Sequence, residues 1–198
     1  MKKGLTLGII GFVLFLMLVS GCNTYNSMVK MDEGANAQWK QLEVVYQRRM
    51  DLIPNLVNTV QGYADFEKST LTAVIEARAN ATKVTIDPSK LDDESIKRFN
   101  EAQSGLSSAL SRLMVVAEQY PNLKANENFL ALQKELEGTE NRIARERGIL
   151  KEKVEEYNTS IRSFPKNMWA GMFGFSKREY FEAQDGADKA PTVKFNTK

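Results

Sequence analysis

The sequence predicts an all-α protein: an antiparallel four-helix bundle with long first and last helices and an N-terminal membrane anchor. Three observations carry this. Apolar residues recur in alternating steps of three and four, no segment alternates apolar and polar residues as a half-buried strand does, and the chain begins with an unbroken apolar run. The implied division is an anchor over 1–22, a bundle over 23–165, and an aromatic-rich tail over 166–198 whose last part is loose.

The apolar run extends from Gly4 to Gly21, and between Leu5 and Val19 only Thr6 is polar. It has two readings. Lys2 and Lys3 in front, and Ser20-Gly21 before Cys22, make the pattern of a bacterial lipoprotein signal, cut before Cys22 with its thiol then acylated. At about 1.5 Å per residue the run also forms a helix of roughly 27 Å, which suffices for an uncleaved transmembrane helix. Both readings tie the chain to a membrane. The two lysines keep the N-terminus in the cytoplasm and place the bundle on the extracytoplasmic side, periplasmic or extracellular. Cys22 is the only cysteine, so no disulfide forms within one chain.

The first bundle helix carries Tyr25, Met28, Ala35, Trp39, Leu42, Tyr46, Ile53, Leu56, Val60 and Tyr63 on one stripe, with Asp32 and Arg49 as polar rungs. Pro54 interrupts it. The stripe passes through without losing register, so one kinked helix is expected rather than a hairpin, with a turn at Gly62-Tyr63-Ala64. Asp65 is the expected cap of a shorter helix with Leu71, Val74, Ile75 and Ala81 on its apolar face, and Arg78 at that helix's edge is expected to reach solvent. Asp87-Pro88 and the acidic Asp92, Asp93 and Glu94 suit the start of a third helix. Its stripe is Ile96, Phe99, Leu106, Leu110, Leu113, Ala117 and Tyr120, and it stops before Pro121. Asn126 is a candidate cap for the fourth, in which Phe129, Leu136, Ile143, Leu150 and Tyr157 recur at intervals of seven up to Phe164-Pro165. That strict interval implies near-parallel axes and a left-handed twist, as in a coiled coil.

The tail mixes Trp169, Phe173, Phe175, Tyr180 and Phe181 with glycines and charges and shows no helical period. It is expected to pack as an extended arm against the domain, the other reading being a contact for a partner or for a membrane interface.

Composition excludes several function classes. Basic and acidic residues number 27 and 25 and are interspersed, and the two signs become equal once Lys2 and Lys3 are set aside, so no nucleic-acid-binding face is expected. Histidine is absent, which removes the commonest general base and transition-metal ligand. With no phosphate loop, nucleophile elbow or metal-ligand cluster, the sequence points to no enzyme, cofactor or metal.

Several segments taken together resemble the LemA family. They are Tyr25-Asn26, Trp39-Lys40-Gln41, the run from Arg48-Arg49-Met50-Asp51 through Pro54-Asn55-Leu56-Val57, Gly62-Tyr63, Glu76-Ala77-Arg78, Tyr120-Pro121-Asn122, Glu135 to Ile143, Tyr157-Asn158, Phe164-Pro165 and Gly174-Phe175. The likeness covers nearly the whole chain beyond the anchor and implies an anchored four-helix bundle. It departs at Leu150-Lys151, where the family often has an aromatic-Asn pair. It supplies no catalytic residues.

The function expected is therefore a non-enzymatic envelope scaffold or adaptor, with a role in membrane organisation as one form of it. An extracytoplasmic module holding a small ligand or peptide between helices is the alternative. The expected partners are the membrane and an unidentified envelope protein, and a homo-oligomer is left open. The candidate ion-pair network is structural and joins the first and last helices: Arg48, Arg49 and Asp51 on one, Glu140, Arg142 and Arg145, with Glu146 and Arg147 beside them, on the other. Arg49 stands on the apolar stripe and needs a carboxylate inside the bundle. Asn55 and Asn141 are the expected partners of the backbone carbonyl freed by Pro54.

Overall fold

The computed structural model describes residues 2–63, 66–84 and 93–181, and all of its regular structure is helical. The helices are α1 (Lys2–Gln61), α2 (Lys68–Lys83), α3 (Asp93–Ala117), α4 (Pro121–Lys124), α5 (Glu127–Arg162) and α6 (Lys166–Phe173).

Helix α1 has 60 residues, about 90 Å of helix, and runs unbroken from the apolar segment into the heptad stripe. Pro54 lies inside it, and the chain does not reverse there. A proline at this position leaves the carbonyl four residues earlier, that of Met50, without its helical donor. Arg78 supplies the replacement: its Nε donates to the Met50 carbonyl at 2.9 Å from α2. This corrects the expected reach of Arg78 to solvent. Asn55 and Asn141 are exposed and do not take this part. A turn bonded from Tyr63 N to the Val60 carbonyl ends α1.

Residues 64–65 lie outside the described residues, and with them the expected cap Asp65. Glu67 occupies the N-cap position of α2, and its carboxylate accepts from Ser69 and from Thr70. Leu71, Val74 and Ala81 are buried, but Ile75, expected on the same face, is exposed. Asp87-Pro88 and Asp92 also lie outside the described residues. On α3 the expected stripe from Ile96 to Ala117 is buried, and Tyr120 is half-buried. The single turn of α4 starts at Pro121 and buries Leu123. Asn126 caps α5, accepting from Phe129 N at 3.0 Å, and the heptad Phe129, Leu136, Ile143, Leu150 and Tyr157 is buried throughout.

The helices α1 and α5 pack along their lengths with opposite directions: Gln38 meets Glu146, Arg49 meets Glu140, and Arg48 meets Glu135. Helix α2 packs on α3 and also touches α1. Three clusters make the core. The first joins Ile53, Leu56, Leu106, Leu113, Phe129 and Leu136. The second joins Trp39, Tyr46, Phe99, Leu150, Val154 and Phe181, and the third joins Met28, Tyr157, Ile161 and Ala170.

The tail differs from the expected extended arm. Lys166–Phe173 is helical, because Ala170 has the third cluster to bury itself in and Gly174, at φ 77°, stops the helix in a left-handed conformation that favours glycine. From Phe175 to Phe181 the chain has no regular secondary structure, and residues 182–198 lie outside the described residues.

Replacing Arg78 by Met is expected to cost about 1.5–3 kcal/mol in chemical denaturation, the range for a hydrogen bond from a charged group. In a Pro54→Ala background, where the helix again supplies a donor to Met50, the same change is expected to cost about 1 kcal/mol less. Equal costs in the two backgrounds would separate Arg78 from the proline.

Candidate functional site

Polar side chains concentrate where the long helices meet, and each group is centred on an arginine. Arg49 on α1 is 2 % exposed. Its Nη1 donates to Glu140 Oε2 on α5 at 2.7 Å and to Ser107 Oγ on α3 at 3.1 Å. Its Nη2 donates to the side-chain oxygen of Gln103, also buried, and to the Gln103 carbonyl. The guanidinium carbon sits 5.4 Å from the Tyr46 ring centroid. One cation thus ties α1, α3 and α5 at one level. Glu140 keeps 55 % of its side-chain surface exposed, so its charge is largely hydrated and the buried Gln103 matters more to holding the arginine in place.

A second group lies two turns along α5. Arg147 donates from Nε to the Tyr46 hydroxyl at 2.8 Å and from Nη2 to Asn100 Oδ1 at 2.9 Å. Its guanidinium lies over the Phe181 ring at 4.7 Å. Burial raises the pKa of the Tyr46 hydroxyl above 10.0, and the charges of Arg147 and Arg49 partly offset that rise.

The third group clasps the tail. Arg178 donates from Nε to Asp32 Oδ1 and from Nη2 to Asn36 Oδ1, each at 2.8 Å. Asn158 pairs with the backbone of the same residue: its Oδ1 accepts from Arg178 N at 2.9 Å and its Nδ2 donates to the Arg178 carbonyl at 2.8 Å. Tyr157 lies under the guanidinium, and its hydroxyl donates to the Ser176 carbonyl at 3.0 Å. Its pKa is also raised, first by burial and then by the nearby Asp32 carboxylate.

Of the residues expected to form one ion-pair network, the structure brings Arg49 and Glu140 into contact. Arg48 turns outward to Glu135 at 3.2 Å. Asp51 is exposed and accepts from Gln47 on its own helix at 2.8 Å. Arg142 and Arg145 point to solvent and make no ion pair among the described residues, because they fall on the face of α5 away from α1. Cys22 is a free, exposed thiol on α1. Sequence reasoning missed Gln103, Asn158 and Arg178. The one available signal was Asp32, a carboxylate on an apolar stripe that demanded a cation.

Chemically these groups are largely spent on one another; Arg49 Nε and Gln103 Nε2 are the buried side-chain nitrogens left without a hydrogen-bond partner among the described residues. Among the described residues no three metal-ligating side chains cluster, and Arg49 has protein on its forked end rather than an open cleft. A depression lined by Lys40, Tyr46, Met50, Thr82 and Phe99 is open to the outside between α1, α2 and α3.

Fold and site together define an all-helical protein with arginine-centred contacts in its core and one helix long and apolar enough to cross a membrane. A model of the LemA family matches residues 38–195, and the chain belongs to that family. Similar proteins include magnetosome protein MamQ 2 of Paramagnetospirillum magneticum and magnetosome protein MamQ of Magnetospirillum gryphiswaldense. Each is 28 % identical over 199 residues, which cover 92 % of this chain and 71 % of the relative.

Replacing Arg49 by Met is expected to cost about 3 kcal/mol in urea denaturation, since it strands the buried Gln103 oxygen as well as removing the pair. Adding Gln103→Leu is expected to recover part of that loss, so the double variant is more stable than Arg49→Met alone. A strictly additive loss would mean that the two side chains act independently.

The raised pKa of Tyr46 sets a pH dependence. Below pH 10.0 both folded and unfolded states hold this proton and its contribution is constant. Above that value the unfolded state loses the proton first, so stability falls with rising pH. In Tyr46→Phe the fall above pH 10.0 is expected to be shallower, though not abolished, because Tyr157 behaves in the same way.

Proposed function

We propose that this protein is a membrane-anchored, non-enzymatic scaffold or adaptor of the bacterial envelope, an antiparallel four-helix bundle held on the extracytoplasmic side by α1. The observation that carries this reading is the unbroken α1: its described apolar side chains from Ile9 to Val19 are exposed, while the same helix provides the core residues from Met28 to Val60. A helix that is apolar on all sides in its first third needs a surrounding lipid phase. The relatives named above are named as magnetosome proteins and not for a reaction, which suits a role in organisation. The alternative of a ligand held between the helices draws little support from Arg49: its two terminal nitrogens donate to Glu140, Ser107 and Gln103, and its Nε, which has no hydrogen-bond partner among the described residues, is buried among side chains.

The anchor is read as retained. Gly21 is buried beneath Trp169, and cleavage before Cys22 would remove that contact. Acylation of Cys22 is the other fate of the same segment.

Two measurements test the proposal in cells. The protein is expected in the membrane fraction at the mass of the uncleaved chain, without incorporation of labelled palmitate. A label present in the wild type and lost in Cys22→Ser would make it a lipoprotein instead. Photo-crosslinkers at the exposed Val44, Val115 and Leu130 are expected to capture a second envelope protein. Recovery of the uncrosslinked chain from all three sites would remove the scaffold reading.

A further inference from the structure

The helix α6 is fixed by its sequence neighbours to one level of α1. Trp169 packs on Gly21 so closely that a Cβ added to that glycine would lie 3.0 Å from the indole. Phe173 stacks on Trp169 at 5.9 Å and meets the Tyr25 ring edge-on at 5.1 Å. Phe175 closes on the other side of Tyr25 at 5.7 Å. These contacts place α6 where the apolar run ends, because Gly21 is the last residue of that run and Asn23 and Thr24 begin the polar part of α1.

The opposite side of α6 has no partner among the described residues. Met168 is 62 % exposed and Met172 72 %, four residues apart on one face of α6, and Phe164, in the turn that precedes the helix, is 81 % exposed. The helix has one charged residue, Lys166, and it lies off that face. Exposed apolar side chains of this size at the level of a bilayer surface have a natural cover. Interfacial aromatic rings and flexible apolar side chains enter the boundary between headgroups and acyl chains, where a short amphipathic helix lies in the membrane plane.

From this geometry we infer that α6 is a membrane-interface helix: Met168 and Met172, together with Phe164 in the turn before them, enter the outer boundary of the bilayer that α1 crosses, and Trp169 holds the helix at that depth by packing on Gly21. The inference rests on the retained anchor proposed above. Its occupant is the lipid surface, because Trp169 packs on Gly21 at the end of the apolar run, and Leu18 and Val19, exposed apolar side chains of α1, lie within one helical turn of that glycine. The bundle is thereby held to the membrane at two points, α1 through it and α6 on it, and so has a fixed tilt.

The test uses the full chain in nanodiscs of dioleoylphosphatidylcholine, in a Cys22→Ser background with single spin-labelled cysteines. Phe15→Cys reports the anchor, Met168→Cys and Met172→Cys report α6, and Val115→Cys reports an exposed position on the bundle. Collision with oxygen, which concentrates in lipid, is compared with collision with a water-soluble nickel chelate. The ratio at Met168→Cys and Met172→Cys is expected to exceed that at Val115→Cys several-fold and to fall below that at Phe15→Cys. Labels on α6 that read like Val115→Cys, with Phe15→Cys in lipid, overturn the inference and leave the anchor standing. Labels on α6 shielded from both reagents put a second protein copy on the stripe and also overturn it. A water-like reading at Phe15→Cys overturns the anchor and this inference together.

Discussion

A single helix has to satisfy two surroundings in succession, and the rest of the structure is arranged around that constraint. The first third of α1 is apolar on every side, whereas the remainder has one buried stripe and one wet face. Gly21 stands at the boundary without breaking the helix, so the direction of the apolar segment sets the axis of the domain. The only proline of α1 falls much later, at Pro54, between Ile53 and Leu56 of the first core cluster, and the carbonyl it would leave unpaired, at a cost in stability, belongs to Met50 of the same cluster. Arg78 removes that cost from a neighbouring helix. The helix that carries it, α2, is thereby tied to α1 at the one point where α1 is locally weak.

Apolar stripes alone would not fix how α1 and α5 meet. A seam repeating every seven residues looks much the same after a slip of one repeat. The three arginine groups break that degeneracy, because each requires a particular partner at a particular level: Glu140 and Gln103 for Arg49, Tyr46 and Asn100 for Arg147, Asp32 and Asn158 for Arg178. Two of them meet α1 within one turn, at Tyr46 and Arg49, and join it to α3 and α5, while the third, at Asp32, joins it to the tail, so α3, α5 and the tail are each registered against the same helix. Buried polar contacts of this kind add little net stability over apolar ones, and what they add here is uniqueness of packing.

The sequence was most informative where one element's own pattern decides the outcome. The stripes of α1, α3 and α5, the cap at Asn126 and the stop at Pro121 depend on residues a few positions apart, and each is where periodicity and capping place it. Partners across elements were not legible. Nothing in the one-dimensional pattern distinguishes Arg78, which reaches Met50, from Arg142 and Arg145, which reach water; only the packing of α2 on α1 does. The helical start of the tail was hidden for a related reason. Over the eight residues of α6 no period can be counted, and its stability comes from Ala170 and Trp169 meeting α1 and α5, with Gly174 as the stop.

The tail also explains how the apolar end of α1 is connected to the core. From Phe175 to Phe181 an extended chain at about 3.3 Å per residue spans about 20 Å. From Tyr25, which Phe175 touches, to Trp39, which Phe181 touches, α1 rises by about 21 Å. A fully extended arm would thus reach about as far as α1 rises between its two ring contacts, and Arg178 midway is held to Asp32 and Asn36 on α1 and to Asn158 on α5. Phe181 then enters the second core cluster beside Trp39 and Phe99 and under the guanidinium of Arg147. Between α6 on Gly21 and Arg147 on Tyr46, the tail therefore forms one continuous chain of contacts, with the Arg178 clasp in the middle.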